Sequence, residues 1–239
     1  MKETFLLVHS AWLGAWQWNT VKELLVEAGH SVITPDLPGH GENLTPEKEI
    51  TMQDYVDCIV NLLDQQEESV VLLGHSFNGI TVSRVAEVRP NKIKSIVYLA
   101  AFLAPAKSSF ISMVKGVEGS VAVENFYFSD DQSHALVKAS EMHQAFAHDI
   151  SEEAFAKASS FILPEPAKPL FYELEITDEN WGAIPKYYIE CTLDKAIPIA
   201  IQRAMYNGKV EKIYSLEASH TPNFSQPNKL ANILIELVK

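Results

Sequence analysis

The 239-residue sequence predicts an α/β fold, a mostly parallel six-stranded sheet with helices on both faces and one inserted segment. Short apolar runs alternate with longer stretches of helical periodicity, which is the pattern of strand and crossover helix. Most of the runs are too continuously apolar for a strand with one wet face, so both faces of the sheet are covered. The rhythm breaks once, over residues 103–183, a length that no simple connection in a compact domain reaches.

Taken in order, strands are expected at 5–9, 31–34, 70–73, 93–100, 186–191 and 212–216, and helices at 16–28, 51–64, 77–88, 199–206 and 226–238. Gly29 sits where the first helix should stop, Pro90 follows the third, and Pro198 suits the first turn of the fourth. Residues 1–102 and 184–239 then form the core, and 103–183 form a cap or lid of helical patterns around the run Leu-Pro-Glu-Pro-Ala-Lys-Pro-Leu.

Composition excludes several functions. A balance of 19 basic against 31 acidic residues, net charge −12, repels phosphate backbones and anionic membrane surfaces, so neither nucleic acid nor membrane is an expected partner. The first residues, Met-Lys-Glu-Thr-Phe-Leu-Leu-Val-His, hold too few apolar positions for a signal peptide's core. Cys58 and Cys191 lie far apart with no C-x-x-C spacing, which points to free thiols and a cytoplasmic location.

The run Val-Val-Leu-Leu-Gly-His-Ser-Phe-Asn-Gly-Ile at 70–80 places a serine in a tight strand-to-helix turn. Phosphate binding is one use of such a turn, but Ile80 stands where a P-loop needs its lysine. The run 38–44 begins like G-x-G-x-x-G, yet Leu44 occupies the third glycine position. The other use is nucleophilic catalysis, with Ser76 on a G-x-S-x-G elbow. Asn78 takes the place of the second glycine, a steric departure at a position where asparagine also starts helices by accepting a backbone N–H.

A serine nucleophile needs a base and an orienting acid, which follow this elbow in the order Ser, Asp or Glu, His. Of eight histidines, His9, His30, His40 and His75 precede Ser76, and His134, His143 and His148 fall on helical patterns in the insertion. His220, after the last strand, remains. Asp194, just beyond the fifth strand, is the economical acid, and Glu190 inside that strand is its weaker rival. Backbone N–H groups of Phe77 and of Ala11 in the loop after the first strand would form the oxyanion hole. Taken singly, Ser76 is equally a helix-capping serine, Asp194 a loop acid and His220 a loop histidine bonded to a carbonyl. Their order is what favours catalysis.

Trp12, near that loop, is placed at the pocket rim, whereas Trp16 and Trp18 at helical spacing read as core. Of Phe110, Phe126, Phe128, Phe146, Phe155 and Phe161, most are expected inside the cap and a minority facing the site. Glu141 and His143 lack an H-E-x-x-H context and a third ligand, so no metal site is expected.

Together these stretches resemble the α/β-hydrolases, and within them the branch of plant methylesterases, hydroxynitrile lyases and bacterial esterase-like relatives. The resemblance rests on Phe-Leu-Leu-Val-His-Ser-Ala-Trp-Leu-Gly-Ala-Trp-Gln-Trp, Pro-Asp-Leu-Pro-Gly-His-Gly, Gly-His-Ser-Phe-Asn-Gly and Tyr-Leu-Ala-Ala-Phe-Leu. It continues in Tyr-Ile-Glu-Cys-Thr-Leu-Asp-Lys-Ala-Ile-Pro and Ser-His-Thr-Pro-Asn-Phe. It implies a site without cofactor or metal, Ser76 as nucleophile, His220 as base, Asp194 as its partner, a capped pocket for compact apolar esters, and a homodimer. The lyases pair a first-loop threonine with a lysine after the catalytic histidine. Here Ser10 supplies a hydroxyl at the threonine position, where it would touch substrate, but Thr221 follows His220. His75 matches the esterases, and Leu13 stands where relatives often have histidine. A serine esterase is the expected function. Cyanohydrin cleavage, or small-ligand binding without turnover, are the alternatives.

Overall fold

The computed structural model describes residues 2–239. β1 (Thr4–Val8) runs through a 3-10 turn at Ala15–Trp18 into α1 (Asn19–Glu27) and β2 (Ser31–Ile33). α2 (Met52–Asp64), β3 (Val70–His75), α3 (Asn78–Val88) and β4 (Ile93–Leu99) follow. The next segment contains α4 (Phe110–Val114), α5 (Val121–Glu124), β5 (Phe126–Phe128), β6 (His134–Val137), α6 (Ala139–Phe146), α7 (Glu152–Ser159), β7 (Glu165–Pro166) and α8 (Ala167–Leu170). β8 (Lys186–Cys191), α9 (Ile199–Tyr206), β9 (Lys212–Leu216), α10 (Pro222–Ser225) and α11 (Pro227–Leu237) complete the chain.

Six strands form one sheet in the order β2-β1-β3-β4-β8-β9. Every pairing in it is parallel. Alternate residues explain the continuous apolar runs. Leu6, Val8, Val70 and Leu72 pack on one face with Tyr55, Ile59, Ile80 and Val85, while Phe5, Leu7, Val71 and Leu73 pack on the other with Trp18, Leu25, Leu230 and Leu234. Because β1 lies between β2 and β3, the chain crosses to opposite sides of the sheet there. The loops leaving β1 and β3 diverge and open the crevice in which α/β sheets place their sites.

The helices behave largely as their sequence signals require. Thr51 and Asp54 form a capping box at α2. Gly29, at φ 92°, ends α1 in the left-handed region that glycine adopts freely. Two details differ from expectation. The helix expected over 16–28 is split, with its first turn 3-10, and Pro198 precedes α9 as its cap residue instead of entering its first turn.

The segment 103–183 is not purely helical. β5, β6 and β7 form an antiparallel three-stranded sheet, which places His134 on a strand and builds β7 and α8 from the proline-rich run. Strands of two to four residues are too short to show alternation, and Pro166 is tolerated because β7 is an edge strand.

Candidate active site

β3 delivers Ser76 at φ 58°, a left-handed conformation that is strained for a residue with a side chain. The turn is held by Ser76 N–H donating to the Leu99 carbonyl at 3.2 Å, and by the Ser76 carbonyl accepting from Gly79 at 3.1 Å and Phe102 at 3.0 Å. Close approach explains the two glycines. A Cβ on Gly74 would lie 2.5 Å from Val82 Cγ2 and 2.7 Å from the Asn78 carbonyl oxygen, and one on Gly79 would lie 2.6 Å from the Phe102 carbonyl oxygen.

Asn78 does not crowd this turn. Its Nδ2 donates to the His9 carbonyl at 2.7 Å and its Oδ1 accepts from Thr81 Oγ1 at 2.6 Å, so the side chain leaves the elbow toward the end of β1. It begins α3 as expected, but as a tie between loops and not as an acceptor of a helix N–H.

His220 and Asp194 meet in the interior. His220 Nδ1 donates to Asp194 Oδ2 at 2.7 Å, and both side chains are buried. Asp194 Oδ1 accepts the N–H groups of Ala196 at 2.7 Å and Ile197 at 2.8 Å, which fix the carboxylate plane. With Nδ1 committed as donor, Nε2 of a neutral imidazole carries the lone pair. That buried nitrogen has no hydrogen-bond partner in the protein, so it is free to take a proton. Glu190, the rival acid, is occupied elsewhere, by Arg203 at 3.0 and 3.1 Å, Tyr206 at 2.5 Å and Ser215 at 2.7 Å. The Arg203 guanidinium, helped by the Tyr206 and Ser215 hydroxyls, pulls its carboxyl down to about 2 against the opposing effect of burial.

The loop after β1 supplies the other wall. Among the described residues, the N–H groups of Ala11 and Phe77 have no acceptor. Ser10 points its hydroxyl to Ala11 O at 3.2 Å and Gln17 Oε1 at 3.4 Å. Ser10 and Leu13 line a cavity with Ala11, Trp12, Trp16, Phe146, Phe155 and Thr221. A second cavity is lined by Ser76 and Phe77 with Phe102, Phe110, Phe126, Ala196 and Ile197, and shares Trp12 and Phe146 with the first. Trp12 is thus part of a wall, not a rim, with its ring 5.5 Å from that of Phe146, and Phe146 in turn lies 5.6 Å from His220. Phe110, Phe126, Phe146 and Phe155 line these cavities, so the majority, not a minority, of the phenylalanines singled out in the segment face the site.

A model of the Alpha/beta hydrolase family matches residues 5–233. The chain belongs to that family. This hydrolase is 31% identical to Methylesterase 7 of Arabidopsis thaliana over 250 residues, covering 99% of this chain and 96% of the relative. Its fold superposes on polyneuridine aldehyde esterase with TM-score 0.88 at 26% identity, covering 100% of both chains. A pyrethroid hydrolase from Sphingobium faniae JZ-2 gives TM-score 0.89 at 27% identity, covering 99% of this chain and 97% of that one.

Sequence reasoning missed the polar groups that brace the hydrolase's site. Gln202 Nε2 donates to Asp194 Oδ2 at 3.1 Å while its Oε1 accepts from Cys191 N at 3.1 Å. His75 Nε2 donates to the His220 carbonyl at 2.9 Å, and its Nδ1 accepts from Gln17 Nε2 at 3.2 Å. Gln17 Oε1 accepts the Ser10 N–H at 3.1 Å, which completes a buried chain from the His220 loop to the β1 loop. Burial, and then the neighbouring His220, hold His75 well below the usual histidine range, so it stays neutral, as this donor-and-acceptor arrangement requires. Only the spacing Trp-Gln-Trp, with a polar residue in an apolar turn, hinted at Gln17.

Proposed function

We propose that this protein is a serine carboxylesterase for uncharged, largely apolar esters, working through an acyl-enzyme. The chain is a carboxylic ester hydrolase. The observation behind the finer reading is the buried His220–Asp194 pair, whose Nε2 has no partner in the protein and whose imidazole lies 4.9 Å from the ring of His75, the residue before the strained Ser76.

In this reading His220 Nε2 removes the Ser76 proton as Oγ attacks the ester carbonyl. Asp194 holds the correct tautomer and stabilises the imidazolium that forms. The Ala11 and Phe77 N–H groups receive the oxyanion, an arrangement in which each donor contributes about 10²- to 10³-fold in rate. His220 then returns the proton to the leaving alcohol, and water activated by the same nitrogen clears the acyl group. The 103–183 segment acts as the cap. Both cavities are lined almost wholly by apolar side chains and neither contains a charged one, which favours neutral esters over carboxylate-bearing ones.

Hydrolysis is favoured over cyanohydrin cleavage because Thr221, at the position of the lyases' lysine, donates its hydroxyl to the Phe146 carbonyl at 2.8 Å and offers no cation. The test combines turnover of short-chain aryl esters with intact-mass detection of an adduct from a serine-reactive phosphonate. One adduct per chain, lost together with turnover in Ser76→Ala, is expected. Turnover that persists in Ser76→Ala rules the mechanism out.

A further inference from the structure

Glu165 is a fully buried carboxylate that the mechanism above leaves without a role. It enters from β7, at the edge of the small sheet in the 103–183 segment. Its Oε2 accepts the Trp12 backbone N–H at 3.0 Å and His40 Nε2 at 2.8 Å, and its Oε1 accepts the Tyr55 hydroxyl at 2.9 Å.

His40 is charged on geometric grounds alone. Its Nδ1 faces the Pro38 carbonyl at 3.1 Å while its Nε2 faces Glu165, so both ring nitrogens point at acceptors and both hold protons. The groups around it fit that state. His9 lies with its ring 4.8 Å away, and its Nδ1 donates to the Ser10 carbonyl while its Nε2 accepts the Leu37 N–H, so it is neutral. Burial and the nearby His40 charge push His9 down to about 3. Burial opposes the charge on His40, but Glu165, the Pro38 carbonyl and Asp36 together hold its pKa above the ordinary histidine value. Tyr55, pushed well above the usual tyrosine range by burial and by Glu165, remains a donor.

A buried ion pair is a poor source of net stability, and apolar packing would seat the segment as well. What the pair supplies is a directional acceptor for one backbone N–H. The Trp12 N–H needs one, because Trp12 sits at φ 64°, in the left-handed region, directly after Ala11. All three polar handles of Trp12 are held by the same segment. Glu165 takes its N–H, Ala135 O takes its indole Nε1 at 2.9 Å, and its carbonyl accepts from Leu163 N at 3.0 Å. Ala135 and Glu165 are register partners in that sheet, so the β1 loop is clamped onto one rung of it.

We propose that Glu165, braced by His40 and Tyr55, is a positioning residue that keeps the Ala11–Trp12 loop in the conformation that aims the Ala11 N–H at the ester carbonyl. The proposal rests on the serine-esterase reading of the site. It also makes the oxyanion hole complete only while the 103–183 segment is seated.

The test is Glu165→Gln, which keeps the shape but cannot accept from all three donors. Expected is a kcat lowered by about 10- to 100-fold with KM changed by less than about threefold, part of the loss that follows removal of a whole oxyanion donor. Affinity for a trifluoromethyl ketone, which forms an oxyanion on Ser76, should fall in step with kcat/KM, while affinity for an unreactive amide of the same shape holds. In the wild type kcat should decline as pH rises through the raised pKa of His40, and this limb should be absent in Glu165→Gln. Tyr55→Phe, a milder change, should move kcat and ketone affinity in the same direction by a smaller factor. If both variants lower Tm but leave kcat and ketone affinity within about twofold, or if the loss is in KM alone, Glu165 is structural and the proposal fails. Turnover surviving in Ser76→Ala is a different result, since it removes the serine mechanism whatever Glu165 does.

Discussion

The Asn78 carboxamide donates to the His9 carbonyl at 2.7 Å, joining the helix behind the Ser76 turn to the end of β1, where the loop carrying Ala11 begins. Two loops of the proposed oxyanion hole are therefore fixed relative to each other by one side chain. Asn78→Gly would restore the glycine of the usual elbow but strand the buried His9 carbonyl and leave the Thr81 hydroxyl only the weak Met52 sulfur acceptor. A stability loss of about 1–3 kcal/mol is expected, with kcat/KM reduced because Ala11 and Phe77 lose their common reference. Urea unfolding beside ester kinetics tests this, and a variant as stable and as active as the wild type would remove the tie from the argument.

Gly74 is required by space. An added methyl would meet Val82 Cγ2 at 2.5 Å and, less yieldingly, the backbone oxygen of Asn78 at 2.7 Å. Gly74→Ala should destabilise by about 1–3 kcal/mol and displace the serine turn, so activity falls further than stability alone dictates. Comparing the active fraction, titrated with the phosphonate, against the folded fraction separates the two effects.

Asp194 and Glu190 make opposite predictions. Asp194→Asn removes the acceptor that selects the histidine tautomer, and kcat should fall by about 10³- to 10⁴-fold. Glu190→Gln should leave turnover near wild type at neutral pH and act on stability instead. The folded-state pKa of Glu190 lies below its unfolded value, so its contribution is present above about pH 4.5 and is lost as pH falls toward about 2. The wild-type advantage over Glu190→Gln in urea should therefore shrink across that interval. A pH-independent difference would show that the Arg203 pairing contributes nothing specific.

Much of the fold is legible in the sequence alone. The parallel strands announce themselves because burial on both faces leaves no polar alternation, as in 70–73, while the elbow pattern points to Ser76, and chain order points to His220 and favours Asp194 over Glu190. Glu165 was not legible, since in Leu-Pro-Glu-Pro it reads as a linker acid and its partner Trp12 is 153 residues away. Gln17, Gln202 and the tie from Asn78 to His9 escaped for the same physical reason. A buried amide is recognised by the donors and acceptors that surround it, and those are assembled only by the fold.

Phe146, like Trp12, lines both apolar cavities, and it also anchors the histidine loop, since its carbonyl accepts from Ser219 Oγ at 3.1 Å and Thr221 Oγ1 at 2.8 Å on either side of His220. Phe146→Ala keeps those backbone contacts and removes only the ring between Trp12 and His220. The two cavities should then merge, so that kcat/KM for an ester with bulky groups on both sides of the carbonyl rises relative to that for a small ester. Stability should drop by about 1–3 kcal/mol, below the usual cost of a fully buried phenylalanine because Phe146 is partly exposed. A matched ester series measured on both proteins decides the matter, and an unchanged ratio of bulky to small ester would mean that Phe146 does not divide the pocket.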